Sequence, residues 1–429
     1  HHHPAAPGDG RRRFTIARKR TMPPWITACR DPRCGVRRPA GTPDARLQDT
    51  VRHAAEHSSF YGDRLQEAGV RASDIRSAAD LRLLPVLGKS HIREHAVRIA
   101  TDLAAPGTLR FEKTNGTTGE PLRLPLTAGE LRFKHALWFS GYLSCGLRPW
   151  HRQAKFMIAS SIPRTPWFFQ RVGLFRRAYL DVTAPTGDKI AWLREQRPQA
   201  LFAWGSVLTE IALALRDAGQ CLDVPVIISS SDALQRAPVE AHLRGRLSDV
   251  YGAMETGPLG WPCSTHGGFH LDPRGCIVEL LDDQERPASR GRVVCTVLWR
   301  RTFPLLRYDL GDLASWADTP CACGNPHPRL AGLDGRTPDL LCLRDGRRFT
   351  SSVIAAALRA LPGIRQFQLV QCEPASAILR IVPEDGFGPD VEAEILRRMD
   401  GQFGAALKVH VRTVAAVFRP REEKLSSVV

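Results

Sequence analysis

At 429 residues, with 43% hydrophobic and 24% charged residues, the chain can bury a sizeable core and has the balance of an ordinary globular protein. No uninterrupted apolar run reaches about 18 residues, and the start, HHHPAAPGDG, lacks the apolar centre of a secretory signal, so neither a membrane span nor export is expected. Part of the net charge of +16 lies in a basic arm over residues 1–40, where Arg11, Arg12, Arg13, Arg18, Lys19 and Arg20 cluster; it reads as a disordered, solvated tail.

From Asp44 to about His95 apolar residues recur at three- and four-residue spacing (Leu47, Val51, Ala54), which predicts helices. VPVIISS (224–230) and GRVVCTVL (291–298) read as buried strands, and TEIALALRDAG (209–219) as a helix stopped by glycine. Strands alternating with helices predict an α/β fold. After Gly335 the texture changes: RQFQLVQ, SAILRIV and LKVHVRTV read as strands, SSVIAAALRAL and DVEAEILRRM as amphipathic helices. The predicted organisation is the arm, a large domain over 41–335, and a small, mobile α+β domain over 336–429.

KTNGTTGEP (113–121) raises two readings. Asn115-Gly116 is a hairpin signal, whereas a glycine-rich run with Thr117 and Thr118 can turn successive N–H groups and hydroxyls toward phosphate oxygens. The GxxxxGK[ST] pattern of P-loop NTPases is absent.

Three further segments decide between them. KTNGTTGEP resembles the phosphate loop of the adenylate-forming superfamily, which includes acyl-CoA synthetases and nonribosomal adenylation domains. DVYGAMETGP (249–258), RYDLGDLA (307–314) and DGRTPDLL (334–341) resemble its Y-G-x-x-E, Y-x-x-G-D and G-R-x-x-D motifs, in the expected order. SSFYGDRL and LRLLPVLGKSHIREH resemble the phenylacetate–CoA ligase branch. The resemblance implies ATP-dependent conversion of a carboxylic acid to an acyl adenylate, with pyrophosphate released, and then transfer to the thiol of coenzyme A. A carrier-protein thiol or an amine is the alternative acceptor.

By the same resemblance Thr114, Asn115, Gly116, Thr117, Thr118 and Gly119 hold the phosphates of ATP, and Glu255 coordinates Mg²⁺. Tyr251 and Gly252 lie beside adenine and acyl group, Asp312 accepts from the ribose hydroxyls, and Arg336 reaches ribose or phosphate. Ser231 and Asp232 take the place of an adenine-binding turn, and Lys424 that of the lysine that contacts the carboxylate and α-phosphate. Pro338 stands at the pivot where the family has Asp or Lys. The acyl pocket, expected to take an aromatic acid, falls to Trp138, Phe139, Tyr142, Trp204 and Gly257.

Eleven cysteines, an odd number without framework spacing, predict a reducing cytoplasm. Cys263 with His266, and Cys321 with Cys323, supply a Cys₃His set suited to a structural zinc, with His270 and His327 as spare ligands. No membrane partner is expected, and a homodimer is allowed for. A zinc-containing nucleic-acid-binding protein is the competing class raised by the basic arm; it predicts steeply salt-dependent binding.

Overall fold

The computed structural model describes residues 42–102, 108–113, 122–163, 168–230, 234–263, 265, 267–317, 321–336, 341–343, 347–349, 354, 357–358, 361–415 and 417. The basic arm lies outside them, as do Thr114, Asn115, Gly116, Thr117, Thr118, Gly119, Ser231, Asp232, His266, Pro338 and Lys424. Arg336 is described at its backbone only.

Helices α1 (Pro43–His57), α2 (Ser59–Glu67) and α3 (Lys89–Ile99) occupy the stretch that the apolar spacing marked as helical. α1 begins where it does because Thr42 accepts a hydrogen bond from the Ala45 N–H and Pro43 needs no partner of its own. The three helices bury Leu47, Val51, Phe60, Leu65 and Ile92 in one core with Trp299 and with Leu259 and Val293 from the sheet described next.

A short hairpin comes first: β1 (Arg110–Lys113) pairs with β2 (Arg123–Leu126), the last paired residues being Lys113 and Arg123. The hairpin signal Asn115-Gly116 lies outside the described residues. Helix α4 (Ala128–Ser144) follows.

An eleven-stranded sheet runs through the large part of the molecule. Its first half is parallel: β3 (Gln153–Met157), β4 (Arg177–Asp181), β5 (Ala200–Trp204), β6 (Leu222–Ser230) and β7 (Leu243–Ala253), in the order β4-β3-β5-β6-β7. Helices α5 (Thr186–Gln196), α6 (Gly205–Asp217) and α7 (Arg236–His242) connect these strands. Val224, Val226, Ile227 and Ile228 of β6 are all buried, as an inner parallel strand requires. The second half is antiparallel: β8 (Gly257–Pro262), β9 (Phe269–Leu271), β10 (Cys276–Leu281), β11 (Arg290–Val297), β12 (Tyr308–Trp316) and β13 (Arg329–Arg336), in the order β7-β8-β9-β13-β12-β11-β10. β7 joins the halves, pairing parallel with β6 and antiparallel with β8.

The C-terminal part has its own core. β14 (Leu341–Cys342) pairs with β15 (Arg348–Phe349), and β16 (Ile364–Glu373), β17 (Ser376–Pro383) and β18 (Lys408–Thr413) form a separate sheet. α8 (Pro389–Phe403) covers it, placing Ile395, Met399 and Phe403 against Leu369, Leu379 and Ile381. Arg216 and Asp217, at the end of α6, form ion pairs with Glu384 and Arg365 of this part. Among the described residues no helix is long and apolar enough to cross a membrane.

Candidate active site

Two tyrosine–carboxylate pairs mark the centre of the site. Tyr251, near the end of β7, donates its hydroxyl to Asp312 of β12 at 2.8 Å. Tyr308, at the start of β12, donates to Glu255 at 3.2 Å. Both phenols are buried, and burial together with the neighbouring carboxylate pushes each hydroxyl far above its ordinary range, so each remains a donor. Across the β12–β13 ladder Asp312 faces Arg336. Residues far apart in the chain thus meet at one place: Tyr251, Glu255 and Asp312 with the backbone of Arg336.

Arg307, just before Tyr308, has a left-handed backbone (φ 48°), unusual for a residue with a side chain. It is held there from several sides: its Nη1 donates to the Leu84 carbonyl at 2.5 Å and its Nε to Glu279 at 3.2 Å, while its own N–H bonds Thr296 Oγ1 at 3.0 Å. Such strain persists where surrounding contacts over-determine it, and here it sets the direction in which Tyr308 leaves the chain.

Glu255 lies in the turn between β7 and β8, and that turn is gripped on both sides. Lys134 of α4 donates to the Met254 carbonyl at 2.8 Å, and the Trp299 indole donates to the Thr256 carbonyl at 3.1 Å. The same Lys134 ammonium, 4% exposed, donates to both oxygens of Glu112 on β1, at 2.8 and 2.7 Å. One buried lysine therefore ties the strand entering the glycine–threonine stretch to the turn carrying Glu255. Burial lowers its pKa, and Glu112 opposes that shift.

α4 is itself anchored. Glu130 closes a capping box with Thr127, and its carboxylate also accepts from the N–H groups of Arg301 and Thr302 at 2.6 and 2.9 Å. Between Trp299 and Arg301, the Arg300 guanidinium is 1% exposed and stands 4.0 Å from Glu112. None of its nitrogens has a hydrogen-bond partner among the described residues. Its charge balances the nearby Glu112, Glu130 and Glu255 rather than completing a bidentate pair. Lys134, Glu112 and Arg300 belong to no sequence motif. The one available signal was a lysine amid the apolar run LRFKHALWF.

The expected acyl pocket is an aromatic row. Trp138 crowds Gly252 so closely that a Cβ there would come within 2.7 Å of the indole ring. Trp138 stacks on Tyr142 at 5.7 Å, and Tyr142 meets Phe202 edge-on at 5.0 Å. Trp261 lies against both and packs flat on Gly141, where a Cβ would stand 1.9 Å from its ring. Phe139 turns to Phe175, Gly257 opens β8 beside the Lys134 stem, and Trp204 packs against the core beneath α6. Phe202, two residues before Trp204, is the β5 ring in the row, and Trp261 its other member that sequence reasoning missed.

A third cluster lies where β9 meets β13. Cys263, His270, Cys321 and Cys323 hold their ligand atoms within 4.8 Å of one another. The Cys263 and Cys321 sulfurs are 3.2 Å apart as free thiols, and Cys323 Sγ is 3.2 Å from His270 Nε2. His270 Nδ1 lies 3.1 Å from the His327 carbonyl, an acceptor that keeps the proton on Nδ1 and leaves Nε2 free as a ligand. The histidine in the set is His270, one of the spares; His266 lies outside the described residues.

No family model matches the chain. It is 24% identical over 82% of its length, and 83% of the relative's, to a phenylacetate–coenzyme A ligase of Thermus thermophilus. It is 29% identical over 72% of its length, and 73% of the relative's, to the phenylacetate–coenzyme A ligase of Escherichia coli. Among solved structures, 2-hydroxyisobutyryl-CoA ligase in the postadenylation state, in complex with 2-HIB-AMP, superimposes with a TM-score of 0.73, covering 93% of this chain and 91% of that one at 22% identity. The fold is that of the adenylate-forming CoA ligases. In sequence the chain is similar to phenylacetate–CoA ligases over about three quarters or more of its length.

Proposed function

We infer that the chain is an AMP-forming acid–thiol ligase. A substrate carboxylate attacks the α-phosphorus of ATP, pyrophosphate leaves, and the acyl group passes from the adenylate to the sulfur of coenzyme A as AMP departs. The observation that carries this reading is the convergence of the Tyr251–Asp312 and Tyr308–Glu255 pairs with Arg336, which joins three separate motifs in one site.

An anion attacking a polyanion meets an electrostatic barrier, so positioning and charge neutralisation supply most of the catalysis. Asp312, oriented by Tyr251, offers carboxylate oxygens to the ribose diol. Glu255 is a buried carboxylate whose other neighbours are Tyr308 and Arg300, which suits a hard divalent cation. Bound there, Mg²⁺ would screen phosphate charge. Thr114 to Gly119 are assigned to the phosphates, Ser231 and Asp232 to adenine, and Lys424 to the reacting oxygens, on the motif resemblance alone.

The three thiols and His270 suit zinc in a closed, four-ligand structural site in a reducing cytoplasm. Metal analysis of the purified chain should find about one zinc per chain, lost in Cys323→Ser and His270→Ala. Full retention in both variants would remove the assignment.

The function is tested by pyrophosphate release from ATP across a panel of acids, with and without coenzyme A. Release that needs an acid, with AMP turnover that needs coenzyme A, is expected. Turnover supported instead by a carrier thiol or an amine would transfer the reading to that acceptor.

A further inference from the structure

From Leu131 to Leu180 the sequence holds no Asp or Glu, although the whole chain has 44 among 429 residues. The same stretch carries nine Arg and Lys. Part of it forms one corner of the molecule, where β3 and β4 begin at the edge of the large sheet. The segments leading into these strands are tied together. The Phe175 N–H donates to the Pro149 carbonyl at 2.5 Å, and the Gln153 N–H to the Arg176 carbonyl at 2.8 Å.

Large apolar side chains stand out from this corner: Trp150 is 63% exposed, Val172 72% and Leu174 41%. Single exposed apolar residues are ordinary, whereas a cluster marks a contact surface. The cluster is built into the fold. Phe175 has a left-handed backbone (φ 49°), its ring is buried against Phe139, and its carbonyl accepts from Gln170 Nε2 at 3.1 Å. That backbone is costly for a residue with a side chain and persists where its surroundings fix it. Phe175 thereby goes inward while Val172 and Leu174 stay in water.

Arg152, Arg171 and Arg176 are exposed beside them. Arg152 donates to the Arg197 carbonyl at 2.9 Å, and the Arg176 guanidinium lies along Gly173, 3.8 Å from where a Cβ would stand. None of the three forms an ion pair among the described residues, so their charge is left for a partner. A second copy of this corner would bring the same unpaired cations, which opposes a symmetric self-contact. A nucleic acid would meet the arginines but offer Val172 and Leu174 nothing apolar. A bilayer with anionic headgroups matches both: phosphates for the guanidinium groups, and an interfacial layer for the indole and the aliphatic side chains.

Such a contact leaves the candidate active site open. Gln153, Ala200, Val226 and Arg246 stand in one row across the parallel strands. Tyr251 lies five residues beyond Arg246 on β7, about 16 Å at about 3.3 Å per residue. Trp150 and Leu174 lie on the other side of the row, before β3 and β4 begin. The corner is thus at the amino ends of the parallel strands, and Tyr251 and Glu255 at the carboxyl end of β7.

We propose that this corner is a docking surface for an anionic lipid bilayer, with Trp150, Val172 and Leu174 entering the headgroup layer and Arg152, Arg171 and Arg176 binding lipid phosphates. A peripheral contact needs no membrane-crossing helix, and it revises the sequence expectation of no membrane partner. It stands apart from the ligase reading, which pyrophosphate release tests separately.

The test is co-sedimentation of the full chain with vesicles of phosphatidylcholine alone and of equal parts phosphatidylcholine and phosphatidylglycerol. The chain should partition to the anionic vesicles about tenfold or more above the neutral ones, and less so as salt is raised. Arg171→Gln with Arg176→Gln should lower that partition about tenfold, and so should Val172→Ser with Leu174→Ser. All four positions are exposed, so thermal midpoint and pyrophosphate release without vesicles should stay at the parent values. The basic arm is present in every protein compared, so it cannot produce the difference. No partition to anionic vesicles, or equal partition in both variants, would overturn the inference. So would a loss confined to the arginine variant, with the serine variant binding vesicles and a single-stranded DNA oligonucleotide as the parent does. That outcome would make the corner a general polyanion surface.

Discussion

The two sides of the site are held by different forces. On the nucleotide side, built on the antiparallel half of the sheet, each acidic group has a partner from the chain: Tyr251 for Asp312, Tyr308 for Glu255, Lys134 for Glu112. On the side expected to take the acyl group, the rings of Trp138, Tyr142, Phe202 and Trp261 pack on one another instead. The first arrangement holds its carboxylates in fixed positions before ATP arrives. The second fixes shape without fixing charge. Charge and shape are thereby assigned to different parts of the chain.

The comparison is broken most directly at Lys134. Lys134→Met leaves the part-buried Glu112 with only the more distant Arg300, 4.0 Å away, and should destabilise the fold by about 3 kcal/mol, read by chemical denaturation. Adding Glu112→Gln should recover much of the loss. A single variant as stable as the parent would mean that the two halves of the nucleotide side are not coupled through this lysine. Next comes Glu255→Gln, which should slow pyrophosphate release on the order of 10²-fold with little change in thermal midpoint. Undiminished release would remove Glu255 from metal binding.

On the acyl side, Gly141→Ala drives a methyl group into the Trp261 ring and should lose about 1–3 kcal/mol. It should also raise KM for the acid more than KM for ATP; equal effects on both would show that the row does not line the acyl site. The smallest effect is expected for Tyr251→Phe. The loss of one hydrogen bond to Asp312 is worth about 1 kcal/mol and should raise KM for ATP several-fold, with KM for the acid nearly unchanged. A change confined to the acid would reverse the assignment of the two sides.

Much of the nucleotide side was legible because its residues lie in short segments whose order alone is informative. Tyr251 and Glu255 share one segment and Asp312 lies in another, and the strands that carry them were visible as apolar runs. Trp204 looked like a pocket wall because aromatic character is local, but which core a ring enters depends on its strand's neighbours. The β5 ring beside Tyr142 is Phe202.

By itself, then, the sequence determined the α/β class, the small C-terminal α+β unit, the run of nucleotide motifs and the pairing of cysteines close in the chain. These follow from periodicity, turn residues and composition, which act over a few residues. Only the tertiary structure decided that His270 joins the thiols, that Lys134 bridges Glu112 to the Glu255 turn, and that Gln153, Lys155 and Arg177 share one face of the sheet. Those facts depend on strand register and on which helix covers which strand. Register is set by burial summed over the whole sheet, so a one-residue shift would leave every local signal in place and turn each of these side chains to the opposite face.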